Sequence, residues 1–236
     1  MRLTGFQLKI FAMIVMVLDH IYQYVPNNPI WLTYAGRIVA PIFLYFVVEG
    51  FIYTRSRKKY MLRMFLWAVI MKMGSILIML LVPPKGEGIQ NNIFLYFVFA
   101  FILLITLERF MKQKTMLNFI YVIFGTALAL LPEMSIFGAV SVYAFYFFRN
   151  DKLKMSIAYV TGSIVASIGM GWIVAGKSIF TMQALLENYQ WMMIFALPFL
   201  LLYSGQRGYN STWSKYMFYV FYPVHIWLLY IIGQFV

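Results

Sequence analysis

The stretch GFQLKIFAMIVMVLDHIYQY, residues 5–24, decides the fold. Its length matches the roughly 20 residues that an α-helix needs to cross a bilayer. Near its C-terminal end, however, lie two ionisable side chains, Asp19 and His20. Placing a charged group at bilayer depth costs about 2.5–3.5 kcal/mol on insertion scales, so such residues usually carry function. The stretch therefore predicts a membrane helix that contributes to a functional site.

The composition extends this prediction to the whole chain. Of 236 residues, 63% are hydrophobic and 11% are charged, and the mean hydropathy is +0.80. Soluble domains carry about 25% charged residues. We therefore predict an all-α, polytopic membrane helix bundle, and we expect residues 1–236 to form one domain because no polar linker divides them. The lack of cysteine excludes disulfides, acyl-cysteine intermediates and thiolate metal sites.

Hydropathy divides the chain into nine predicted spans. They cover residues 5–24, 35–53, 60–82, 92–109, 116–131, 134–148, 155–175, 190–203 and 216–235. The fifth, sixth and eighth are shorter than the roughly 17 residues of a minimal span, so these three are candidates for kinked or re-entrant segments.

The basic residues predict the orientation of this bundle. With nine spans, only Lys85 and Lys177 fall on one side of the membrane. The positive-inside rule then predicts a cytoplasmic N-terminus and an external C-terminus in the cytoplasmic membrane. Because topology explains the net charge of +12, we do not expect a nucleic-acid partner. The basic residues on the predicted cytoplasmic side are Arg2, Lys9, Arg55, Arg57, Lys58, Lys59, Arg63, Arg109, Lys112, Lys114, Arg149, Lys152, Lys154, Arg207 and Lys215.

Ionisable residues inside the predicted spans form one possible path across the bilayer. On the first span, Lys9 and His20 are eleven residues apart, which returns a helix to within about 20° of the same face. Gln23 and Tyr24 extend that face outward, and Met13 and Met16 line it below. The other members of the set are Arg37, Glu49, Lys72 and His225, the second of the chain's two histidines.

Asp19 is rotated by about 100° from His20, so the two side chains cannot simply face each other. We expect Asp19 to pair with Arg37 or Lys72, or to receive the ring N–H of His225. Each of these ionisable residues also has a structural alternative. It could be a packing histidine, a member of an ion pair, or a side chain that reaches the lipid headgroups.

A proline interrupts the last span two residues before its histidine. Pro223 removes one backbone hydrogen bond and exposes the carbonyl of Tyr219, and such breaks often line a cavity. Tyr222 lies three residues from His225 on the same face. A zinc site is not expected, because the histidines and carboxylates lack any recognised ligand spacing.

The basic stretch at residues 54–60, TRSRKKY, is followed one turn later by Arg63. It has two interpretations. The first is orientation together with contact to anionic lipids. The second is a binding surface for a phosphorylated cofactor, because arginine and lysine suit phosphate.

In several segments that include the residues discussed above, the sequence resembles the TraX family. These are membrane proteins named for the enzyme that N-acetylates conjugative pilin. The resemblance covers about the first 65 and the last 35 residues, and Lys72 has no counterpart in the family pattern. The matching pieces are residues 8–9 and 16–20 (LK, MVLDH), 36–43 (GRIVAPIF), 49–51 (EGF), 54–55 (TR), 60–63 (YMLR), 91–94 (NNIF), 205–208 (GQRG) and 218–225 (FYVFYPVH).

More widely, the chain resembles transmembrane acyltransferases, which have a basic residue, ten intervening positions and then a histidine in the first helix. Lys9 and His20 fit that spacing. The resemblance implies transfer from acetyl-CoA on the cytoplasmic side to an acceptor on the outer side, with His20 as the catalytic base. The acceptor is left open between a peptide N-terminus, a glycan hydroxyl and a small amine.

This interpretation assigns three groups of residues. The reacting groups would be His20, Asp19, His225 and Arg37. The acyl-CoA would be held by Lys9, Glu49, Arg55, Arg57, Lys58, Lys59, Arg63 and Arg207. The acceptor would meet Gln23, Tyr24 and Tyr222.

Two other functions are compatible with the same residues. A proton-coupled transporter or flippase would use Asp19, His20, Glu49 and His225 as a relay, although transporters usually show internal symmetry that is not visible here. A structural assembly component would not explain so many costly intramembrane ions.

Overall fold

A computed structural model describes residues 2–131, 135–170, 186 and 188–236 of the chain. All regular elements of these residues are helical, apart from one isolated parallel bridge between Leu3 and Tyr203. The elements are α1 (Gly5–Tyr24), α2 (Trp31–Gly36), α3 (Val39–Tyr53), α4 (Arg57–Leu81), α5 (Ile93–Lys112), α6 (Met116–Ala129), α7 (Ser135–Phe147), α8 (Lys152–Met170), a 3₁₀ helix (Tyr189–Ala196), α9 (Leu197–Leu201) and α10 (Thr212–Phe235).

Six of the described segments are long and apolar enough to cross a membrane: α1, the continuous stretch Trp31–Tyr53, α4, α5, α8 and α10. Three further apolar segments are shorter, Met116–Ala129, Ile136–Phe147 and Tyr189–Leu201. These three coincide with the fifth, sixth and eighth predicted spans. The prediction of an all-helical fold with three short apolar segments is therefore confirmed, whereas nine membrane crossings and their orientation stay predictions. Residue 134 of the sixth predicted span and residues 171–175 of the seventh lie outside the described residues.

Most of the well-defined helix starts have a polar side chain in the capping position. The first four N–H groups of any helix lack intrahelical acceptors, and a Ser, Thr or Asn oxygen can accept one of these bonds. Two of the caps are capping boxes, in which the third helical residue bonds back to the cap. The capping residues are Thr4 for α1, Ser56 for α4, Asn92 for α5, Thr115 for α6 and Ser211 for α10.

The helices divide into a central one and several peripheral ones. Helix α5 packs against α3, α4, α6 and α7, and its residues Phe101, Leu103 and Leu104 are fully buried. In contrast, α4 exposes Leu80 and Leu81, which are 74% and 73% accessible. An apolar surface that the protein leaves uncovered on a membrane-spanning helix is the surface that faces lipid.

The connection between α4 and α5 returns into the bundle without helical structure. At its start, Tyr230 donates a hydrogen bond to the carbonyl of Val82 at 2.8 Å. At its end, the side chain of Asn92 donates to the carbonyl of Ala68 at 2.9 Å. Ala68 lies thirteen residues before the end of α4, a rise of about 20 Å. Pro83, Pro84, Gly86 and Gly88, residue types that favour a turn, are therefore followed by a descending segment at membrane depth.

Helices α1 and α10 run in the same direction and touch at both ends. Near their starts, the ring centres of Phe6 on α1 and Phe218 on α10 are 6.2 Å apart. Near their ends, Gly233 lies so close to the carbonyl of Tyr24 that a Cβ atom at position 233 would overlap it. The two helices therefore form a parallel pair, and this pairing sets the positions of the side chains that lie between them.

The close approach at Gly233 yields a stability prediction. Gly233→Ala should lower the stability of the bundle by about 1–3 kcal/mol, because the added methyl group forces backbone apart. The matched control is Gly169→Ala in α8, where a Cβ meets nothing within 4 Å. That change should be neutral or stabilise by about 0.5–1 kcal/mol. Thermal unfolding of the two purified variants in detergent measures both effects, and equal melting temperatures would contradict the close packing.

Candidate active site

The two histidines of the chain meet in the interior of the bundle. His20 lies on α1 and His225 on α10, and the distance between Nδ1 of His20 and Nε2 of His225 is 2.8 Å. Both side chains are buried, with 5% and 7% of their surface accessible. The parallel pairing of α1 with α10 brings together residues that are 205 positions apart in the sequence.

A backbone carbonyl decides which ring nitrogens carry protons. Nδ1 of His225 is 2.7 Å from the carbonyl oxygen of Phe221, which can only accept, so this nitrogen is the N–H donor. In a neutral ring, Nε2 of His225 is then an acceptor, and Nδ1 of His20 must donate to it. The remaining nitrogen, Nε2 of His20, therefore holds a lone pair. That arrangement leaves His20 ready to accept a proton.

Asp19 is paired with Arg37, one of the three partners that the sequence left open. One guanidinium nitrogen of Arg37 lies 2.7 Å and 2.6 Å from the two carboxylate oxygens of Asp19. The hydroxyl of Thr33 donates to the same carboxylate at 2.6 Å. The alternative in which Asp19 receives the ring N–H of His225 is wrong, because the carbonyl of Phe221 takes that hydrogen bond. The side chain that orients His20 is His225 and not Asp19.

A glycine allows the Asp19 carboxylate to reach its partners. A Cβ atom at Gly36 would overlap the side chain of Asp19, so only a glycine lets α2 pack this closely against α1. Arg37, the next residue, also donates through Nε to the carbonyl of Thr33 at 3.1 Å. The short helix α2 begins at Trp31, four residues before the predicted start of the second span. Its residue Thr33 and the adjacent Arg37 both contact the Asp19 carboxylate.

A large cavity opens at the end of the bundle where α1 begins. It has a volume of about 870 Å³ and lies between α1, α3, α4, the start of α5 and α10. This is at the upper end of the range of about 300–1,000 Å³ for sites that bind small molecules and cofactors. Its wall is rich in aromatic side chains, and it carries one carboxylate, Glu49, and four cations, Lys9, Arg63, Arg207 and Lys215.

The cations of the cavity are positioned by aromatic side chains rather than by carboxylates. Arg63 donates from Nε to the hydroxyl of Tyr219 at 3.2 Å. The ammonium group of Lys9 lies 4.8 Å from the ring centre of Phe46 and 5.6 Å from that of Phe218. Within the part of the chain that the structure describes, no cavity cation forms an ion pair. Their charge is thus available to an anionic ligand.

The deep end of the cavity stops beside the histidines. Met16 and Tyr222 form part of its wall, whereas His20 does not line it. His20 follows Met16 by one helical turn, and the ring centres of His20 and Tyr222 are 6.2 Å apart. The predicted shared face of Lys9 and His20 on α1 is visible in part, because Lys9, Met13 and Met16 line the cavity and His20 lies one turn beyond it.

The predicted binders of acyl-CoA divide into two groups. Lys9, Glu49, Arg63 and Arg207 line the cavity, and Arg55, Arg57, Lys58 and Lys59 do not. Arg57 is instead bound to Glu108, with nitrogen–oxygen distances of 2.5 Å and 3.1 Å. Since this ion pair joins α4 to α5, it gives the start of α4 a structural role.

One cavity cation was missed in the sequence. Lys215 precedes Tyr219 by four residues and Tyr222 by seven, so all three lie on the same face of α10. Counting back seven residues, or two helical turns, from Tyr222 would have identified Lys215.

Two of the three predicted acceptor residues, Gln23 and Tyr24, lie on the other side of the histidines, at the far end of α1. The hydroxyl of Tyr24 donates to the side-chain oxygen of Asn91, whose nitrogen donates to Gln23 at 3.0 Å. The ring centre of Tyr24 is 6.3 Å from that of His20. Tyr222 connects the two sides, because its hydroxyl accepts from the amide of Ile93 at 3.0 Å while its ring faces the cavity.

Comparison with known proteins identifies a family whose profile matches almost the whole chain. A family profile described as "TraX protein" matches residues 4–233 of the chain. A similar relative is the "Probable fimbrial assembly protein FimC, serogroup H1" of Dichelobacter nodosus, which is 27% identical over 237 residues, or 96% of this chain and 94% of that protein. No solved structure matches the chain.

The hydrogen-bond chain through the histidines makes a spectroscopic prediction. With isotope-labelled histidine, the two rings of the protein should both show a protonated Nδ1 and a bare Nε2 in nitrogen NMR spectra at neutral pH. His225→Phe should change the signals of His20, because its Nδ1–H loses its acceptor. Asp19→Asn serves as the control and should leave the two tautomers unchanged. A protonated Nε2 on His20 in the native protein would contradict the assignment.

Proposed function

The chain belongs to the TraX family, and from this premise we propose that it is a membrane-embedded acyltransferase that moves an acetyl group from acetyl-CoA to an amine or hydroxyl acceptor. The observation that carries the proposal is the pair of hydrogen-bonded histidines, which lies one helical turn beyond Met16 at the deep end of a large, cation-lined cavity. The printed description of the relative from Dichelobacter nodosus, a probable fimbrial assembly protein, favours an acceptor connected with fimbriae.

In this proposal the cavity holds the acyl donor. Lys9, Arg63, Arg207 and Lys215 would bind the phosphates of acetyl-CoA, because arginine and lysine donate strong charge-assisted hydrogen bonds to phosphate oxygens. The aromatic wall suits the adenine ring and the pantetheine arm. With the phosphates near Arg207 and the arm directed toward Met16, the thioester would approach the histidines.

The proposed chemistry needs one group that accepts a proton and later returns it. Nε2 of His20 would take the proton from the acceptor N–H or O–H as that atom attacks the thioester carbonyl. When the tetrahedral intermediate collapses, the carbon–sulfur bond breaks and the CoA thiolate receives the same proton. General base catalysis supplies about 10²–10⁴-fold, and positioning of the two substrates supplies much of the rest.

His225 would act as the positioning residue for His20. Its hydrogen bond holds the His20 ring with Nε2 bare, and it stabilises the imidazolium that forms when Nε2 takes a proton. Arg37 or the hydroxyl of Tyr222 would stabilise the oxyanion. The Asp19–Arg37 pair keeps that guanidinium near the site.

The charge distribution supports a cytoplasmic donor side. All four cavity cations lie at the end of the bundle that the positive-inside rule assigns to the cytoplasm, where acetyl-CoA would be available. Placement in the cytoplasmic membrane, with an acceptor on the outer side, is part of the same proposal.

A proton relay through Asp19, His20, Glu49 and His225 receives less support from the geometry. Only the two histidines among these four are hydrogen-bonded to each other in the described residues. Asp19 is bonded to Arg37 and Thr33, and Glu49 lines the cavity on the donor side. A relay needs each group within reach of the next.

The catalytic assignment is tested with purified protein, labelled acetyl-CoA and a fractionated envelope extract as the source of acceptor. His20→Ala should reduce transfer by about 10²-fold or more while acetyl-CoA still binds, because the change removes the base and not the donor cavity. His225→Ala should also reduce transfer, and its pH profile should shift because His20 loses its orienting partner. Native rates in His20→Ala would exclude the proposed role.

The donor site is tested by removing single positive charges inside and outside the cavity. Arg63→Met and Lys215→Met should each weaken acetyl-CoA binding by about tenfold, the effect of one or two charge-assisted hydrogen bonds. The matched controls Lys58→Met and Lys59→Met remove the same charge outside the cavity and should leave the affinity unchanged. Isothermal titration in detergent measures the four dissociation constants, and weaker binding in the controls alone would move the donor to the basic stretch.

A further inference from the structure

One cation of the membrane interior is used by none of the contacts described above. Lys72 lies on α4, and among the described residues no carboxylate lies within ion-pair distance of it. Its side chain forms part of a groove of about 250 Å³ between α4 and the descending segment before α5. The polar members of the groove wall, besides Lys72, are Ser75, Gln90, Asn91 and Asn92.

The depth of Lys72 follows from its neighbours on α4. Leu77, Leu80 and Leu81 are between 58% and 74% exposed, and they lie one to three turns closer to the end of the helix. Such leucines face hydrocarbon, so the Cα atom of Lys72 lies about 12 Å or more inside the apolar layer. The Cα–Cβ bond of a helical residue tilts toward the helix N-terminus, away from the nearer membrane surface. Snorkelling toward that surface is therefore disfavoured.

The groove opens toward lipid on one side and leads toward the histidines on the other. Phe65 and Val69, at its rim, are 49% and 42% exposed. Its inner wall includes Asn91, which is hydrogen-bonded to Tyr24 and Gln23. The ring of Tyr24 is the next contact of His20. A molecule in the groove would thus lie on the side of the histidines opposite to the donor cavity, with Asn91 and Tyr24 between it and His20.

We propose that this groove between α4 and residues 89–92 binds the membrane-embedded apolar segment of a peptide acceptor, and that Lys72 pairs with a carboxylate on that segment. An unpaired charge at bilayer depth is costly, so its natural complement is an anion at the same depth. A lipid phosphate lies at the headgroup level, above Leu80 and Leu81, whereas a side chain on a transmembrane peptide can be placed at any depth. The inference rests on the proposed function and adds to it Lys72 as a residue that selects the acceptor.

The test uses synthetic peptides in nanodiscs of neutral phosphatidylcholine. One peptide is a transmembrane leucine–alanine helix with a free N-terminal amine and one Glu about eight residues from its outward end, the depth of Lys72. Its partner carries Gln at that position. Binding is followed by energy transfer between labels on the peptide and on the protein, without acetyl-CoA. The native protein should bind the Glu peptide about tenfold more tightly than the Gln peptide.

The variants assign that preference to one side chain. Lys72→Met should reduce the preference to about one, whereas Lys72→Arg should retain most of it. Lys85→Met is the matched control in the outer connection and should behave like the native protein. A uniform elution profile in size-exclusion chromatography shows that each variant is folded. No preference in the native protein, or an unchanged preference in Lys72→Met, would overturn the proposal.

Two further experiments distinguish a peptide site from a lipid site, and the groove assignment from the acyltransferase proposal. Discs that contain phosphatidylglycerol should leave the Glu preference intact. Suppose that this anionic lipid abolishes the Glu preference of the native protein, and that peptide binding to Lys72→Met does not change with the lipid. The groove is then a lipid site, and the peptide proposal fails. Acetyl transfer to the peptides is measured separately. A preserved Glu preference without transfer would contradict the acyltransferase and leave the groove assignment standing.

Discussion

The hydrogen bond between the two histidine rings is the constraint on which the other features of the site depend. Water is scarce inside a membrane bundle, so each ring N–H needs an acceptor within the protein. The carbonyl of Phe221 satisfies one nitrogen of His225, and His225 satisfies one nitrogen of His20. This chain fixes the rotation of α1 relative to α10. It thereby directs Lys9 of α1 and the aromatic residues Phe218, Tyr219 and Tyr222 of α10 toward the same cavity.

On the two sides of the histidines, the polar groups have different character. The cavity side carries four cations, and Glu49 is the one acidic residue among the described residues of its wall. The other side is built from neutral amides and hydroxyls around Asn91, with the Asp19–Arg37 pair satisfied internally. Such an asymmetry suits two different molecules that approach one reactive nitrogen from opposite ends. It is the arrangement that the proposed transfer across a membrane requires.

Much of this arrangement is visible in the sequence, because apolar length and helical spacing are local properties. They predicted the apolar segments, including the three short ones, and the shared face of Lys9, Met13 and Met16. The pairing of His20 with His225 was not predicted, because it depends on how α1 meets α10 and on a carbonyl of Phe221. The basic stretch was interpreted as one surface, yet Arg57 turns to Glu108 on another helix. The descent of residues 82–92 was also missed, since a turn motif says nothing about the path that follows it.

The shortness of α6 has a consequence for the surrounding membrane. Its 14 residues, Met116–Ala129, span about 21 Å, less than the roughly 30 Å of a bilayer core. Its exposed side chains, among them Ile120, Ile123 and Phe124, nevertheless face outward. If this helix crosses the membrane, as the sequence predicts, the acyl chains next to it must compress to avoid hydrophobic mismatch. The protein is thus expected to deform its own lipid annulus and to prefer thin bilayers, so that the acyl-chain length of the host membrane becomes a variable of its stability.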